Sequence, residues 1–369
     1  MAQPVPAAGG ETAAKGPAQL DPAKIILEHV ADAHEFHFFT LNKKPVSIPL
    51  PVILYSPAKG LSGGLSVFMA SRFEHGNELY DGYRLLNEEY AGENKLDEKI
   101  FKPGKIYAVD ADGRPDASVR VLDISLGRNA VQVIISALLI ILIMRSVAGK
   151  YSKGQGVKTA PSGFQGAIEP VIAFVRDEVG KANLGSRYEK YMPFLLTIFF
   201  FILVNSLLGM IPGTANVTGN IAFTGALGVL SFLVIMFSTG KHYWGHIVNP
   251  PVPFGVKFIM WPVELMGIFT KPFALIIRLF ANMISGHIII LSFIILIFIF
   301  GAMNTGLGWG TSPLFVLLSL FIYLIEVLVA FIQAYIFANL TAVFIAQAFE
   351  GGHDEHHGDA HGHGEAVVV

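Results

Sequence analysis

The chain has 369 residues, 53% of them hydrophobic and only 15% charged, with a net charge of −2 at pH 7 and no cysteine. Charge this sparse excludes an ordinary soluble protein, the near-neutral balance excludes a basic nucleic-acid-binding field, and the missing cysteines exclude disulfides, thiolate metal sites and cysteine nucleophiles. No phosphate-binding loop of the G-x-x-x-x-G-K-S/T kind is present, so this chain is not expected to bind nucleotide.

Two materials follow one another along the chain. Residues 1–24 are rich in Ala, Pro, Gly and Gln and read as a disordered tail. Residues 25–128 read as a small α+β domain outside the membrane. Strands are expected at Phe36–Leu41 and Val46–Tyr55, a helix at Glu78–Tyr90, and a hairpin over Ile106–Ile124 around the Asp112-Gly113 turn. From Ala130 the chain becomes a mainly α membrane protein, spanning 129–350. Five transmembrane spans are expected, at about 129–148, 192–211, 220–238, 260–300 and 313–349, because each holds about 20 or more mostly apolar residues. The last two exceed the ~30 Å hydrocarbon core if helical throughout, so they should be steeply tilted or broken, with Pro262 and Pro272 as places for a start or a kink. Gly163–Val179 has mixed polarity and reads as an amphipathic helix along the membrane surface. Residues 351–369 form a His-rich tail containing His353, His356, His357, His361 and His363, read as a solvated tail in preference to a weak metal site.

Lys and Arg set the orientation. The segment between the first two spans carries Arg145, Lys150, Lys153, Lys158, Arg176, Lys181, Arg187 and Lys190, and the loop Lys241–Lys257 is again basic. The loops Pro212–Gly219 and Gly301–Ser312 carry no charge. Basic loops belong in the cytoplasm, so the N-terminal domain is expected outside the cell membrane and the C-terminus inside. An exported domain of this size leads to the further expectation that a signal peptide has been removed from this numbering.

Ionisable groups at membrane depth cost roughly 2.5–3.5 kcal/mol each on insertion scales, so each is a functional candidate. The last two spans hold Glu264, Lys271, Arg278, His287 and Glu326, with Asn282, Gln333 and Asn339 as neutral polar groups. No Lys or Arg follows Arg278. At ~100° per residue, Ala274, Ala281, Asn282 and Ser285 share its face, a strip of small and polar residues that admits a close neighbour. The chain offers few carboxylates to pair with it, so that neighbour is expected to be another subunit. His287 lies about 13 Å beyond Arg278, and Glu326 about 10 Å before Gln333 on an antiparallel helix. If Arg278 and Gln333 are level, His287 and Glu326 are nearly level too, displaced outward, while Glu264 lies about 21 Å toward the cytoplasm. Such a layout suits two offset proton paths separated by a fixed cation. Taken singly, Arg278 also reads as a structural ion pair, His287 as a hydrogen-bonding bundle residue, Lys271 as an interfacial anchor, and Glu264 as an acid near a helix N-terminus. His29, His34 and His37 read as surface or core residues in preference to a metal cluster.

PVEL (262–265) and KPFALIIRLFANMISGH (271–287) closely resemble the signature of ATP synthase a subunits, as does Glu326 followed by IQAYIFANLT (332–341). The resemblance covers roughly 192–350. It implies a proton-translocating stator with two offset half-channels. In it Arg278 faces the carboxylates of a rotating c-ring, His287 and Glu326 form the polar pair of the outer half-channel, Asn282 and Gln333 lie near the arginine, and Glu264 lies near the inner mouth. The implied partners are the c-ring, b subunits of the peripheral stalk and, indirectly, the F1 complex, in a bacterial inner membrane. No cofactor or metal is implied. The long N-terminal domain departs from the compact family pattern. Two other readings remain: a secondary transporter, which predicts an internal repeat not visible here, and a passive scaffold, which leaves the buried ionisable groups without a purpose.

Overall fold

The computed structural model describes residues 33–41, 44–57, 64–97, 100–156, 159–161, 163–211, 213–238 and 254–350. The expected tails, residues 1–24 and 351–369, lie outside these residues, as do His29 and part of the loop Lys241–Lys257. The chain is mainly helical, with a small sheet-containing N-terminal region.

Among the described residues three small sheets build that region. Strands β1 (Glu35–Leu41) and β2 (Lys44–Pro49) form an antiparallel pair with an irregularity between His37 and Phe39. Strands β3 (Pro51–Ser56) and β4 (Gly64–Met69) pair with register Val52↔Phe68. In β3 the alternation sends Val52, Leu54 and Ser56 inward, and Val52 and Leu54 join Phe73, Tyr83, Ile106 and Ala108 in the local core. Val46–Tyr55 is therefore two strands. The chain changes partner at Leu50, whose amide donates to the His34 carbonyl (3.1 Å) in register with β1 and whose carbonyl accepts from the Ala70 amide (2.9 Å) in register with β4.

The helix expected at Glu78–Tyr90 is instead a tight hairpin, β5 (Leu79–Tyr80) and β6 (Tyr83–Leu85), followed by the short helix α1 (Glu88–Glu93). Asp81 and Gly82, with φ of 51° and 75°, make the two-residue turn that an Asp-Gly pair favours, and this overrides local helix propensity. Asn87 caps α1, its Oδ1 accepting from the Tyr90 amide at 2.8 Å. The Asp112-Gly113 turn forms as expected, with Val109 bridged to Pro115. Its flanks do not make one hairpin, however: β7 (Ile106–Ala108) pairs with β6, and β8 (Leu122–Asp123) crosses to β3.

The remainder is a bundle of apolar helices. Among the described residues four are long and apolar enough to cross a membrane: Arg128–Ser152, Phe164–Gly209, Pro272–Met303 and Thr305–Gln347. A further apolar helix, Ile221–Phe237, is shorter. The chain is thus a multi-pass membrane protein. The first helix is α2 (Arg128–Ser152). The run 164–209 opens with α3 (Phe164–Phe174) where a surface helix was expected, continues through a π-helical turn at Val175–Lys181, bends at Gly185 (φ 54°), and ends in α4 (Tyr188–Gly209). Helix α5 (Ile221–Ser238) follows a 3-10 turn at Val217–Gly219.

The two closing helices are α6 (Phe254–Met303), 50 residues, and α7 (Thr305–Glu350), 46 residues. At ~1.5 Å per residue each is about 70 Å long, more than twice the hydrocarbon core. Helix α6 runs through Pro262 and Pro272, so neither is a helix start. The loop expected at Gly301–Ser312 shrinks to Asn304, whose Oδ1 accepts from the Gly306 amide at 2.8 Å. In an apolar surrounding a backbone keeps its hydrogen bonds internal, and this outweighs the Gly and Pro content of the segment. Ala330, Ala334, Ala338 and Ala342, all fully buried, repeat every fourth residue on α7 and let neighbouring helices approach closely.

Candidate functional site

Helices α6 and α7 run antiparallel because a single residue joins them, and their contact brings two titratable groups together. His287 Nδ1 lies 3.0 Å from Glu326 Oε1. The approach depends on Gly286: a methyl group there would meet Glu326 Oε1 at 2.7 Å and its Cδ at 2.8 Å. His287 Nε2 lies 3.1 Å from the Gly209 carbonyl at the end of α4, so Nε2 must donate. Nδ1 also faces the Met283 carbonyl at 3.2 Å.

With Nε2 donating, the contact between Nδ1 and Oε1 is completed by a proton on the line joining them, the geometry that passing a proton from one side chain to the other requires. Glu326 is 4% exposed, and its second oxygen, Oε2, has no hydrogen-bond partner among the described residues. A buried carboxyl with one free oxygen is expensive unless something else engages it.

Arg278 sits differently. Leu275, Leu279 and Met283 turn inward, 3%, 1% and 0% exposed. On the other side of the same helix, Ala274, Arg278, Ala281 and Ser285 are exposed, and Asn282 is half-buried. Among the described residues no hydrogen bond or ion pair reaches the guanidinium. The cation therefore stands on an open face of small residues, the face expected to receive a neighbour.

The other expected site residues divide. Gln333 is buried at 6% on α7, two turns from Glu326. Asn282 offers its backbone carbonyl to the Ser285 hydroxyl at 3.0 Å. Glu264 lies on α6 with its side chain outside those described. Asn339 accepts from Asn183 at 2.7 Å, tying α7 to the turn after the π-helical segment. No grouping of His, Asp and Glu fit for a metal occurs among the described residues; His34 instead lies 2.9 Å from Asp123. Sequence reasoning missed Gly209, Gly286 and Asn183. Gly286, next to His287, carried the usual signal of a close backbone approach; Gly209 and Asn183 act through contacts that only the fold creates.

The family model described as ATP synthase A chain matches residues 130–346, more than half of the chain. The chain belongs to the ATP synthase subunit a family. Relatives agree: ATP synthase subunit a of Chloroherpeton thalassium is 44% identical over 68% of this chain and 73% of its own length. That of Chlorobium phaeobacteroides is 38% identical over 72% of this chain and 78% of its own. One from Anaeromyxobacter dehalogenans is 40% identical over 56% of this chain and 53% of its own. Residues 25–124 match a separate model, Domain of unknown function (DUF8433). As an ATP synthase subunit a, the chain is a proton-translocating stator of an F-type ATP synthase and works within a larger membrane complex.

Proposed function

We propose that the residues of α6 and α7 divide proton transfer into an outer station, a central barrier and an inner exit. Protons from outside reach Glu326 and His287, which pass them to a carboxylate on a ring of c subunits lying against the Ala274–Ser285 face. The neutralised carboxyl rotates through lipid at little cost. On its return it meets the inner path and releases its proton toward Glu264. Arg278 favours the ionised carboxylate, drives that release and keeps protons from running straight through. Asn282 and Gln333 line the arginine's surroundings. Each proton crossing 100 mV supplies about 2.3 kcal/mol to rotation.

The observation that carries this reading is a contrast on one helix: Arg278 lies exposed among small residues, while His287, about 13 Å along the axis, is held against a buried Glu326 at 3.0 Å. Helix α5 serves as the fifth span and α3 as the surface helix. On this reading 25–128 is an extracytoplasmic domain, 129–350 the membrane domain and 351–369 a cytoplasmic tail, with b subunits of the peripheral stalk holding the stator in place. Replacing Arg278 with Ala in the complete complex is expected to abolish ATP-driven proton pumping while leaving the complex assembled. Pumping at the parental rate would refute the assignment.

A further inference from the structure

The N-terminal region and the membrane helices share a small apolar core. Phe36 of β1 and Leu50, between β2 and β3, are 7% and 6% exposed and pack with Ala215 and Val217, both fully buried, in the turn joining α4 to α5. Val131 and Val133 of α2 and Phe223 of α5 close around them. The Arg128 amide, at the start of α2, donates to the Ala33 carbonyl at 2.9 Å, so the domain is pinned to the bundle at a second point. The turn it covers backs directly onto Gly209, where an added methyl would meet the Ala215 carbonyl oxygen at 3.3 Å and Asn216 Cα at 3.5 Å. Gly209 in turn accepts from His287. An unbroken line of contacts therefore runs from Phe36 through the turn to the His287–Glu326 pair.

Beneath that apolar seal the buried side chains turn polar. Gln132 and Ser136, one helical turn apart on α2, are 3% and 0% exposed. Asn205 and Ser206 of α4 and Thr218 of the turn are all fully buried. Helix α2 packs against both α4 and the turn. Among the described residues Gln132 Nε2, Asn205 Oδ1, Ser206 Oγ and Thr218 Oγ1 have no hydrogen-bond partner. Buried polar groups of this kind are ordinarily satisfied, by protein or by ordered water, so unpaired ones on α2, α4 and the turn that α2 packs against suit a wet path.

We propose that the N-terminal domain roofs the outer end of the proton inlet: Phe36 and Leu50 seal its straight route, and protons are led between α2 and α4, past Gln132, Asn205, Ser206 and Thr218, to His287 and Glu326. The inference rests on reading that pair as the outer station. It gives the domain a task that the membrane motifs leave unassigned.

The chain has no cysteine, so a single introduced thiol reports on access. Thr218→Cys, in the complete complex held in lipid nanodiscs, is treated with a membrane-impermeant maleimide. Slow labelling is expected with the roof intact, and labelling at least tenfold faster when Leu50→Asp is added. Leu50→Ala, a milder change, gives a smaller increase and serves if the Asp variant does not assemble. Equal labelling rates with and without the Leu50 changes would overturn the roof. Gln132→Leu is expected to slow ATP-driven pumping several-fold in an assembled complex, with Gln132→Asn recovering most of it; parental pumping in Gln132→Leu would overturn the path. The two readings fail separately. Pumping that survives Arg278→Ala removes the residue roles, whereas unchanged thiol labelling beside a dead Arg278→Ala variant removes the roof alone.

Discussion

Replacing Gly286 with Ala tests the relay without touching either titratable group. The new methyl would lie 2.7 Å from Glu326 Oε1 and 2.8 Å from Cδ, with Glu326 Cγ at 3.3 Å. Ordinary non-bonded contact needs about 3.5 Å, so the carboxyl must withdraw by roughly 0.7 Å. A contact now 3.0 Å long would stretch to roughly 3.7 Å, beyond hydrogen-bond range. Hydrogen bonds to charged groups contribute about 1.5–3 kcal/mol, which corresponds to a roughly ten- to hundred-fold slower transfer between His287 and Glu326. Ala is about 1 kcal/mol better than Gly inside a helix, which offsets part of the packing cost of that displacement. The assay is ATP-driven proton pumping by the purified complex in vesicles, with the amount of assembled complex measured alongside. A fall of at least tenfold with normal assembly is expected. Parental pumping would show that the close approach of the two side chains plays no part in the rate-setting step.

Two further outcomes follow from contacts away from the relay. Asn183→Ala removes the 2.7 Å bond to Asn339 and leaves a part-buried amide without its donor, so thermal stability of the complex should fall by about 1–3 kcal/mol, read as a lower Tm; an unchanged Tm would show that the bond holds nothing together. At the domain junction, burial pushes the Asp123 carboxyl up, but hydrogen bonds from His34 and from the Ser125 hydroxyl and amide outweigh it and hold the group below its ordinary value. A depressed carboxyl stabilises the fold above its unfolded value near ~4 and loses that contribution as pH falls through the folded value. Protection of the β8 amides, corrected for intrinsic exchange, should therefore fall below about pH 4 in the parent, and His34→Ala should shrink that fall. An equal fall in both proteins would contradict it.

Sequence reasoning brought His287 and Glu326 level by counting heights along two antiparallel helices, because a helix converts residue spacing into distance at a fixed rate. The pairing of His287 with Glu326 and the open face around Arg278 both followed from that rule. Where the reading failed, a longer-range force prevailed over a local signal. Gly and Pro between 301 and 313 suggested a loop, yet the apolar setting kept the backbone helical up to Asn304 and again from Thr305. The segment 78–90 looked helical, but Asp81-Gly82, a turn-favouring dipeptide, made a hairpin there. Gly209, Asn183 and the core shared by Phe36 and Val217 were out of reach, since each depends on contacts between segments far apart in sequence.

Whether Arg278 faces the acidic residue of a rotating partner is measured directly by a structure of the assembled complex, as the distance from the Arg278 guanidinium to the nearest ring carboxylate. That gap is expected to be within about 6 Å, the range over which an opposite charge shifts a carboxyl's proton affinity. A guanidinium turned toward lipid, or paired with a carboxylate of its own chain, would contradict it.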